Sequence, residues 1–580
     1  MDSFLELRRI ANLSIGEVAD LLSLSLDTVN AYDVGLLLPR ARDLQALKGL
    51  VMGRTGRNFA NQENESCKSV SPWANYIPGK AAKQMANDTL EINSTVSRAT
   101  AEFERGKNSS VQLNRSVPVP RGYSAREQLF DLYSNRISVN EALTRSLVSF
   151  QGNKKRPFVR WMKYKEAFSS DFVRFVFNSV ELPKSRLPVL FDPFAGSGTA
   201  LFGAAERGWN AGGTELLPVG IAVMRARMAA RHASKKQLTN LVAKLDKVFS
   251  NPVGADGFPH LKITRGAFPT ATERDVASYR AFVSEINDPN LRTLMNFAAL
   301  CVLENVSFTR KDGQYLRWDK RSGRRVTSIL HKGEIPRFRE AIKEKLEEIL
   351  FDIKSEEQSN ATAGDIRVVQ DSFLSHAFEI QNSSVDLVIT SPPYCNRYDY
   401  TRTYALELAY LGFSEHGVRD LRQSLLSATV ENRPKVESLS KLFVNHDQRD
   451  RFDSVTKTFQ SNAALQEVLS ILETAGQDGR LNNPNIPRMV RNYFFEMAVA
   501  ISHLSCIMRS GGLVVMVNDN VRYFGEEIPV DLVLGSFAES LGFGVEKIWV
   551  LPKGKGNSSQ QMGTHGRSEL RKCVYLWRKR

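Results

Sequence analysis

The chain has 580 residues, more than one hydrophobic core usually serves, so two or more domains are expected, and its 42% apolar content is ample for burial. Lys and Arg number 78 against 63 Asp and Glu, and this net charge of +15 favours a polyanionic partner, nucleic acid first. No apolar run approaches the ~18 residues of a membrane span, and the N-terminus lacks the basic start and apolar core of a signal peptide, so no membrane partner and a cytoplasmic location are expected. The five cysteines form no CxxC pair and the eight histidines no HxxxH or HExxH spacing, so neither a metal site nor a disulfide framework is signalled.

Residues 5–50 read as several short helices. Ser14 precedes the apolar-periodic Ile15, Val18, Ala19 and Leu22, and Ser25 precedes Val29, Tyr32 and Val34. Two capped helices one short turn apart resemble the helix-turn-helix of phage-repressor-like regulators, with 13–21 as the first helix, 25–34 as the recognition helix and Tyr32 to Gly35 as the closing turn. Leu26, Asp27 and Asn30 stand where Arg, Lys or Gln commonly meet bases, so a structural or dimerising role stands beside DNA reading. Residues 54–121 are rich in Asn, Ser, Glu and Lys with few apolar pairs and read as a linker or loosely ordered segment. Helical periodicity resumes at 124–132 and 139–150, ahead of Lys154, Lys155 and Arg156, which suit a solvated face.

A short apolar strand at 187–191 leads into Asp192, Pro193, Phe194, Ala195, Gly196, Ser197, Gly198, Thr199 and a small-residue helix at 200–207. Gly196 and Gly198 let a ligand approach the backbone, and the helix start offers free N–H groups. A phosphate loop of the GxxxxGK[ST] kind is excluded, because no lysine follows Gly198. The next strand, 210–214, ends in Glu215, and an acid about that far beyond the glycine turn is the usual holder of a ribose diol in a Rossmann-like site. From about 216 to 363 the chain reads as mostly helical without a sheet strand. Its later part carries a basic patch, 310–325, whose interleaved arginines and aromatics (Tyr315, Trp318) suit phosphate contacts and base stacking.

Strand character returns at 365–370, closed by Asp371, and at 385–389, which delivers Thr390, Ser391, Pro392, Pro393 and Tyr394. Two prolines fix φ and supply no N–H, so this corner presents preorganised acceptors to an amino group, with Tyr394 as a flat face for a planar heterocycle. Cys395 lacks a base nearby in sequence and reads as a packed thiol. A helix is expected at 400–411, a polar, irregular insertion at 419–489, an amphipathic helix at 494–508, a strand at 513–517 and a terminal hairpin from 545–551 and 573–577.

With glycine turn, acid and corner placed in this order on strand ends, the chain from about 156 to 580 resembles the DNA amino-methyltransferases. The resemblance implies an α/β, Rossmann-like methyltransferase sheet with helical insertions, S-adenosylmethionine as cofactor and double-stranded DNA as substrate. It further implies a cognate restriction endonuclease alongside, as in a restriction-modification system. Phe168 and Ser169 then border the methionine moiety. Asp192, Phe194, Gly196, Gly198 and Thr199 form the cofactor loop, Glu215 meets the ribose, Asp371 lies near the adenine, and Ser391 to Tyr394 form the catalytic corner. Serine at the first corner position leans towards N4 of cytosine in this family and aspartate towards N6 of adenine. RNA or protein-glutamine methylation is a rival within the class, and a DNA-binding regulator with a non-catalytic sheet is a rival outside it. The expected organisation is an all-α helix-turn-helix-like domain at 1–52, a linker at 53–122 and a methyltransferase domain at 123–580, whose insertions at about 216–363 and 413–490 are candidates for target recognition.

Overall fold

The computed structural model describes residue 18 and residues 124–182, 186–251, 257–312, 315–324, 330–355, 364–552 and 570–580. The expected helix-turn-helix (Val18 excepted), the linker and Arg325 lie outside the described residues. Twelve strands are formed among those described: β1 Ile137–Val139, β2 Val189–Asp192, β3 Asn210–Thr214, β4 Thr309–Asp312, β5 Tyr315–Trp318, β6 Ile366–Val369, β7 Val385–Thr390, β8 Met508–Asp519, β9 Val521–Tyr523, β10 Glu526–Ile528, β11 Phe543–Val550 and β12 Lys572–Lys579. Eight of them make one sheet in the order β1-β11-β12-β8-β7-β2-β3-β6. Only β12 runs antiparallel to its sheet neighbours.

Strands β2 and β7 are continuous apolar runs because helices cover both faces of the sheet, and every residue in them is buried. Along β8, Val514 and Met516 pack with the helices Ile486–Ile507 and Val530–Ser540, whereas Leu513, Val515 and Val517 pack with Ser170–Ser179 and Thr199–Ala205. Side chains two residues apart thus serve opposite layers. Asp386 is the charged exception inside β7. Its carboxylate accepts from the Arg186 and Arg509 guanidinium groups and from the Val189 amide, so the buried charge is paired and hydrogen-bonded.

From β2 the chain builds β3 and then β6 on one side and returns to β7 on the other. The strand order therefore reverses between β2 and β7, and a crevice opens beyond their carboxyl ends.

Several expectations are corrected. Residues 139–150 are not helical: β1 pairs in parallel with β11, the Asn140 side chain accepts from the Ala142 amide, and turns lead to a 3₁₀ turn at Phe150–Asn153. The stretch between β3 and β6 is mostly helical but also carries the β4–β5 hairpin. On that hairpin Leu316 and Trp318 are buried and the Arg324 guanidinium lies 3.9 Å from the Trp318 ring centre, so Trp318 is not a surface for stacking bases. The 419–489 region is not irregular. It forms the helices Glu415–Ser424, Val436–Asn445, Arg449–Ser461 and Ala463–Gln477, and Leu439, Phe443, Phe452, Val455, Leu465 and Leu469 enter the same core as Ile486–Ile507. Their polar residues are the solvent faces of amphipathic helices. The helix expected at 400–411 is two short ones, Tyr400–Thr403 and Ala405–Tyr410, and the terminal hairpin is β11–β12. Among the described residues no helix is long and apolar enough to cross a membrane, and no cluster of His, Cys, Asp or Glu could hold a metal ion.

Candidate cofactor and catalytic cavity

The connection after β2 is a tight turn whose geometry depends on glycine. Gly196 has φ +54 and Gly198 φ +73, the left-handed region that side chains disfavour. Gly198 also serves as the N-cap of Thr199–Ala205. Asp192 Oδ1 accepts from the Phe194 amide at 3.0 Å and from Thr390 Oγ1 at 2.6 Å, which ties the end of β2 to the end of β7. Glu215 closes the turn from the β3 side: Oε2 accepts from the Gly196 amide and Oε1 from the Leu217 amide, both at 2.6 Å.

These elements line a single cavity that opens to solvent. Of the residues singled out from sequence, it brings together Phe168, Asp192, Phe194, Gly196, Thr199, Glu215, Asp371, Ser391 and Pro393. Gly198, Pro392, Tyr394 and Ser169 stand outside the lining. Ser169 is fully buried, donating its hydroxyl to the Leu147 carbonyl at 2.6 Å and accepting from the Phe172 amide at 3.0 Å as the N-cap of Ser170–Ser179. Pro392 is buried, and Tyr394 is half-buried with its Oη accepting from Ser391 Oγ at 3.2 Å. Cys395 is buried in the core, and burial holds its thiol far above the usual range.

The wall also includes residues with no motif to announce them. Glu166 accepts hydroxyl hydrogens from Tyr404, at 2.6 Å, and from Tyr398, so one carboxylate bridges the segment before β2 and the segment after the corner. Its position two residues before Phe168 was the available signal. The Tyr164 ring stacks on Tyr404 with centroids 5.5 Å apart, and Tyr400 completes this side. Ser424, Leu425 and Leu426 reach the cavity from the C-terminal end of the helix Glu415–Ser424, and nothing local in their sequence reveals it. A buried network holds that loop. Glu496 accepts from the Ser427 amide at 2.9 Å, from its hydroxyl at 2.5 Å and from Lys435 Nζ at 2.8 Å.

Both carboxyls at the glycine turn are hard to ionise. Burial pushes Asp192 up to about 7 against the opposing hydrogen bonds from Thr390 and Phe194, and neighbouring Glu215 adds to the rise. Burial likewise pushes Glu215 up to about 7 despite its backbone donors, with Glu166 contributing in the same direction. The cavity therefore gathers acceptors and latent negative charge at the glycine turn, beside the Ser391 corner to which Thr390 ties it. That polarity suits a ligand with hydroxyl donors and positive charge.

No family model matches the chain, and no solved structure matches it. Among curated proteins, the Type II methyltransferase M.AvaI of Nostoc sp. (strain PCC 7120) is 42% identical over 506 residues, covering 85% of this chain and 100% of that protein. M.AvaI of Anabaena variabilis gives the same values. The Type II methyltransferase M.BsoBI of Geobacillus stearothermophilus is 37% identical over 463 residues, 77% of this chain and 90% of that protein. Likeness of this extent spans the glycine turn, the corner and the helices between them, and it places the chain in the Type II DNA methyltransferases, enzymes that take their methyl group from S-adenosylmethionine.

Proposed function

We propose that this enzyme methylates the exocyclic amine of a base flipped out of double-stranded DNA, with N4 of cytosine the favoured acceptor and N6 of adenine the alternative. It would act as the modification half of a restriction-modification pair with a cognate endonuclease. The observation that carries the reading is that the glycine turn after β2 and the Ser391 corner after β7 share one cavity.

The residues present fit S-adenosylmethionine. Asp192 and Glu215 complement hydroxyl and ammonium donors, and the turn is packed so closely that a Cβ on Gly196 would stand 3.3 Å from Tyr164 Cε1. When bound, the cofactor supplies an electrophilic methyl group carried on a sulfonium. In this reading Phe168 borders the methionine end, with Ser169 fixing the helix beside it. Asp192, Phe194, Gly196, Gly198 and Thr199 shape the turn around the ligand, Glu215 receives the ribose hydroxyls, and Asp371 borders the adenine.

An exocyclic amine conjugated to its ring is a poor nucleophile, so its lone pair must be localised. Ser391 Oγ gives its hydrogen to Tyr394 Oη, which leaves its lone pairs to accept from the amine. The Pro392 carbonyl is the second acceptor. Together they draw the nitrogen towards tetrahedral geometry and stabilise the positive charge that develops on it. The prolines keep both acceptors in place, so little reorganisation accompanies reaction. Tyr394 positions Ser391 and offers its ring to the flipped base, offsetting an unstacking cost of a few kcal/mol. The helices between β3 and β6 and between β7 and β8 are the proposed target-recognition regions. On the first of these, Arg310 and Arg317 face each other across β4–β5 on the exposed side, where phosphates can approach.

The test is to incubate the enzyme with S-adenosylmethionine and mixed-sequence DNA, digest to nucleosides and resolve N4-methylcytosine from N6-methyladenine by mass. N4-methylcytosine is expected. N6-methyladenine alone would reassign the base, and modification of neither, with RNA also unmodified, would refute the reading.

A further inference from the structure

We propose that Arg397 anchors a phosphate of the DNA strand carrying the target base, at a rim formed by residues 396–397, Asn482 and the β9–β10 turn. The proposal rests on the DNA reading above and adds to it a binding residue that no corner motif contains.

Arg397 follows the Ser391 to Tyr394 corner closely and is held at φ +65, a backbone conformation that is strained for any residue but glycine. Its guanidinium is also uncompensated. Among the described residues no carboxylate lies within ion-pair distance of it, its hydrogen bond is a long one of 3.5 Å from Nη1 to Asn482 Oδ1, and its Nε is buried without an acceptor. The surrounding arginines differ: Arg402 pairs with Glu431 at 2.7 Å, Arg422 with Asp399 at 3.0 Å and Arg480 with Asp478 at 2.7 Å. A strained backbone and an unpaired buried donor at one residue are two separate costs. A bound anion satisfies the donor, and strain of this kind is stored where a binding group must be held in place.

The rim is fastened to the corner. Tyr523 Oη, at the end of β9, donates to the Cys395 carbonyl at 2.8 Å. The two-residue turn that follows, Phe524 and Gly525, has positive φ throughout, at +53 and +78, and the Arg480 guanidinium lies 5.0 Å from the Phe524 ring centre. On the same strand Arg522 has a buried Nε without an acceptor and only a 3.5 Å approach from Nη2 to Glu527 Oε2. Arg397 does not line the cofactor cavity. The anion it fits is therefore outside that cavity yet attached to a group that enters it, which describes the phosphodiester beside a base inserted at the corner. The planar guanidinium fork matches two phosphate oxygens.

The experiment measures KM for unmethylated genomic DNA, kcat and the S-adenosylmethionine Kd at several salt concentrations, for the full-length enzyme and for Arg397→Ala, Arg397→Lys and Arg397→Gly. Arg397→Ala is expected to raise KM for DNA about tenfold and to reduce the slope of log KM against log salt by roughly 0.9, the loss of one phosphate contact, with cofactor Kd unchanged. Arg397→Lys should restore the slope and part of the affinity. Arg397→Gly should be at least as thermally stable as wild type, because it removes the strain. A KM for Arg397→Ala within twofold of wild type at unchanged slope would overturn the proposal, as would a loss of thermal stability in Arg397→Gly, which would make the residue structural. A wild-type enzyme that transfers no methyl to DNA would overturn the DNA reading itself, independently of any variant.

Discussion

Gly220→Ala separates helix propensity from site geometry. Gly220 lies in the first turn of the helix Pro218–Ala230. By propensity alone, alanine should stabilise that helix by about 1 kcal/mol. A Cβ at this position, however, would stand 2.5 Å from the Gly196 carbonyl oxygen and 2.9 Å from Glu215 Cγ. The carbonyl cannot yield readily, since Gly196 is fixed at φ +54 and its amide is bonded to Glu215. Either the helix start moves off the turn, or Glu215 swings away and releases the Gly196 and Leu217 amides. Overpacking of this kind costs ~1–3 kcal/mol, and each hydrogen bond to a charged group is worth ~1.5–3 kcal/mol. The steric term wins. The variant should lose about 1–2 kcal/mol of stability, and its S-adenosylmethionine Kd should rise at least about tenfold, equivalent to ~1.4 kcal/mol. Thermal unfolding with and without cofactor, together with titration calorimetry, reads both quantities. A variant as stable as wild type with a Kd within twofold would refute the placement of Gly220 against the turn and the role of Glu215.

The raised carboxyls predict opposite pH trends with and without cofactor. In the free enzyme a carboxyl whose folded pKa lies near 7 contributes stability that is fully present below its unfolded value near 4 and is lost as pH rises through about 7. Binding a cationic cofactor requires the ionised forms, so affinity should level off above about pH 8 and fall about tenfold per pH unit below 7 for each proton that binding displaces. Asp192→Asn should flatten that fall, and a Kd independent of pH from 6 to 8 would contradict it. At the corner, Ser391→Ala and Tyr394→Ala should lower kcat by ~10²–10³ while leaving cofactor Kd near wild type, whereas Asp192→Ala weakens cofactor binding itself. Loss of cofactor affinity at an undiminished rate in Tyr394→Ala would reverse the assignment.

The strands that carry the site were legible in the chain because their signals are local. Strands buried on both faces read as apolar runs, so 187–191 and 385–389 foreshadow β2 and β7, and 210–214 matches β3 in full. The glycine turn and the proline corner declare themselves because backbone conformation selects their residue types. Polar amphipathic helices announce themselves poorly, so 419–489 reads as irregular in sequence although its Leu, Val and Phe residues share one core with Ile486–Ile507. A three-residue edge strand such as β1 exists only because β11 is there to pair with it.

What tertiary structure alone decided is distance. The 2.6 Å bond from Thr390 to Asp192 spans 198 positions, and the bonds from Tyr398 and Tyr404 to Glu166 span 232 and 238. No window of sequence contains such pairs. The shared cavity, the carboxyls lifted towards 7, the Ser424 to Leu426 wall and the unpaired charge of Arg397 follow from which groups are buried together, and burial belongs to the packed chain rather than to any residue in it.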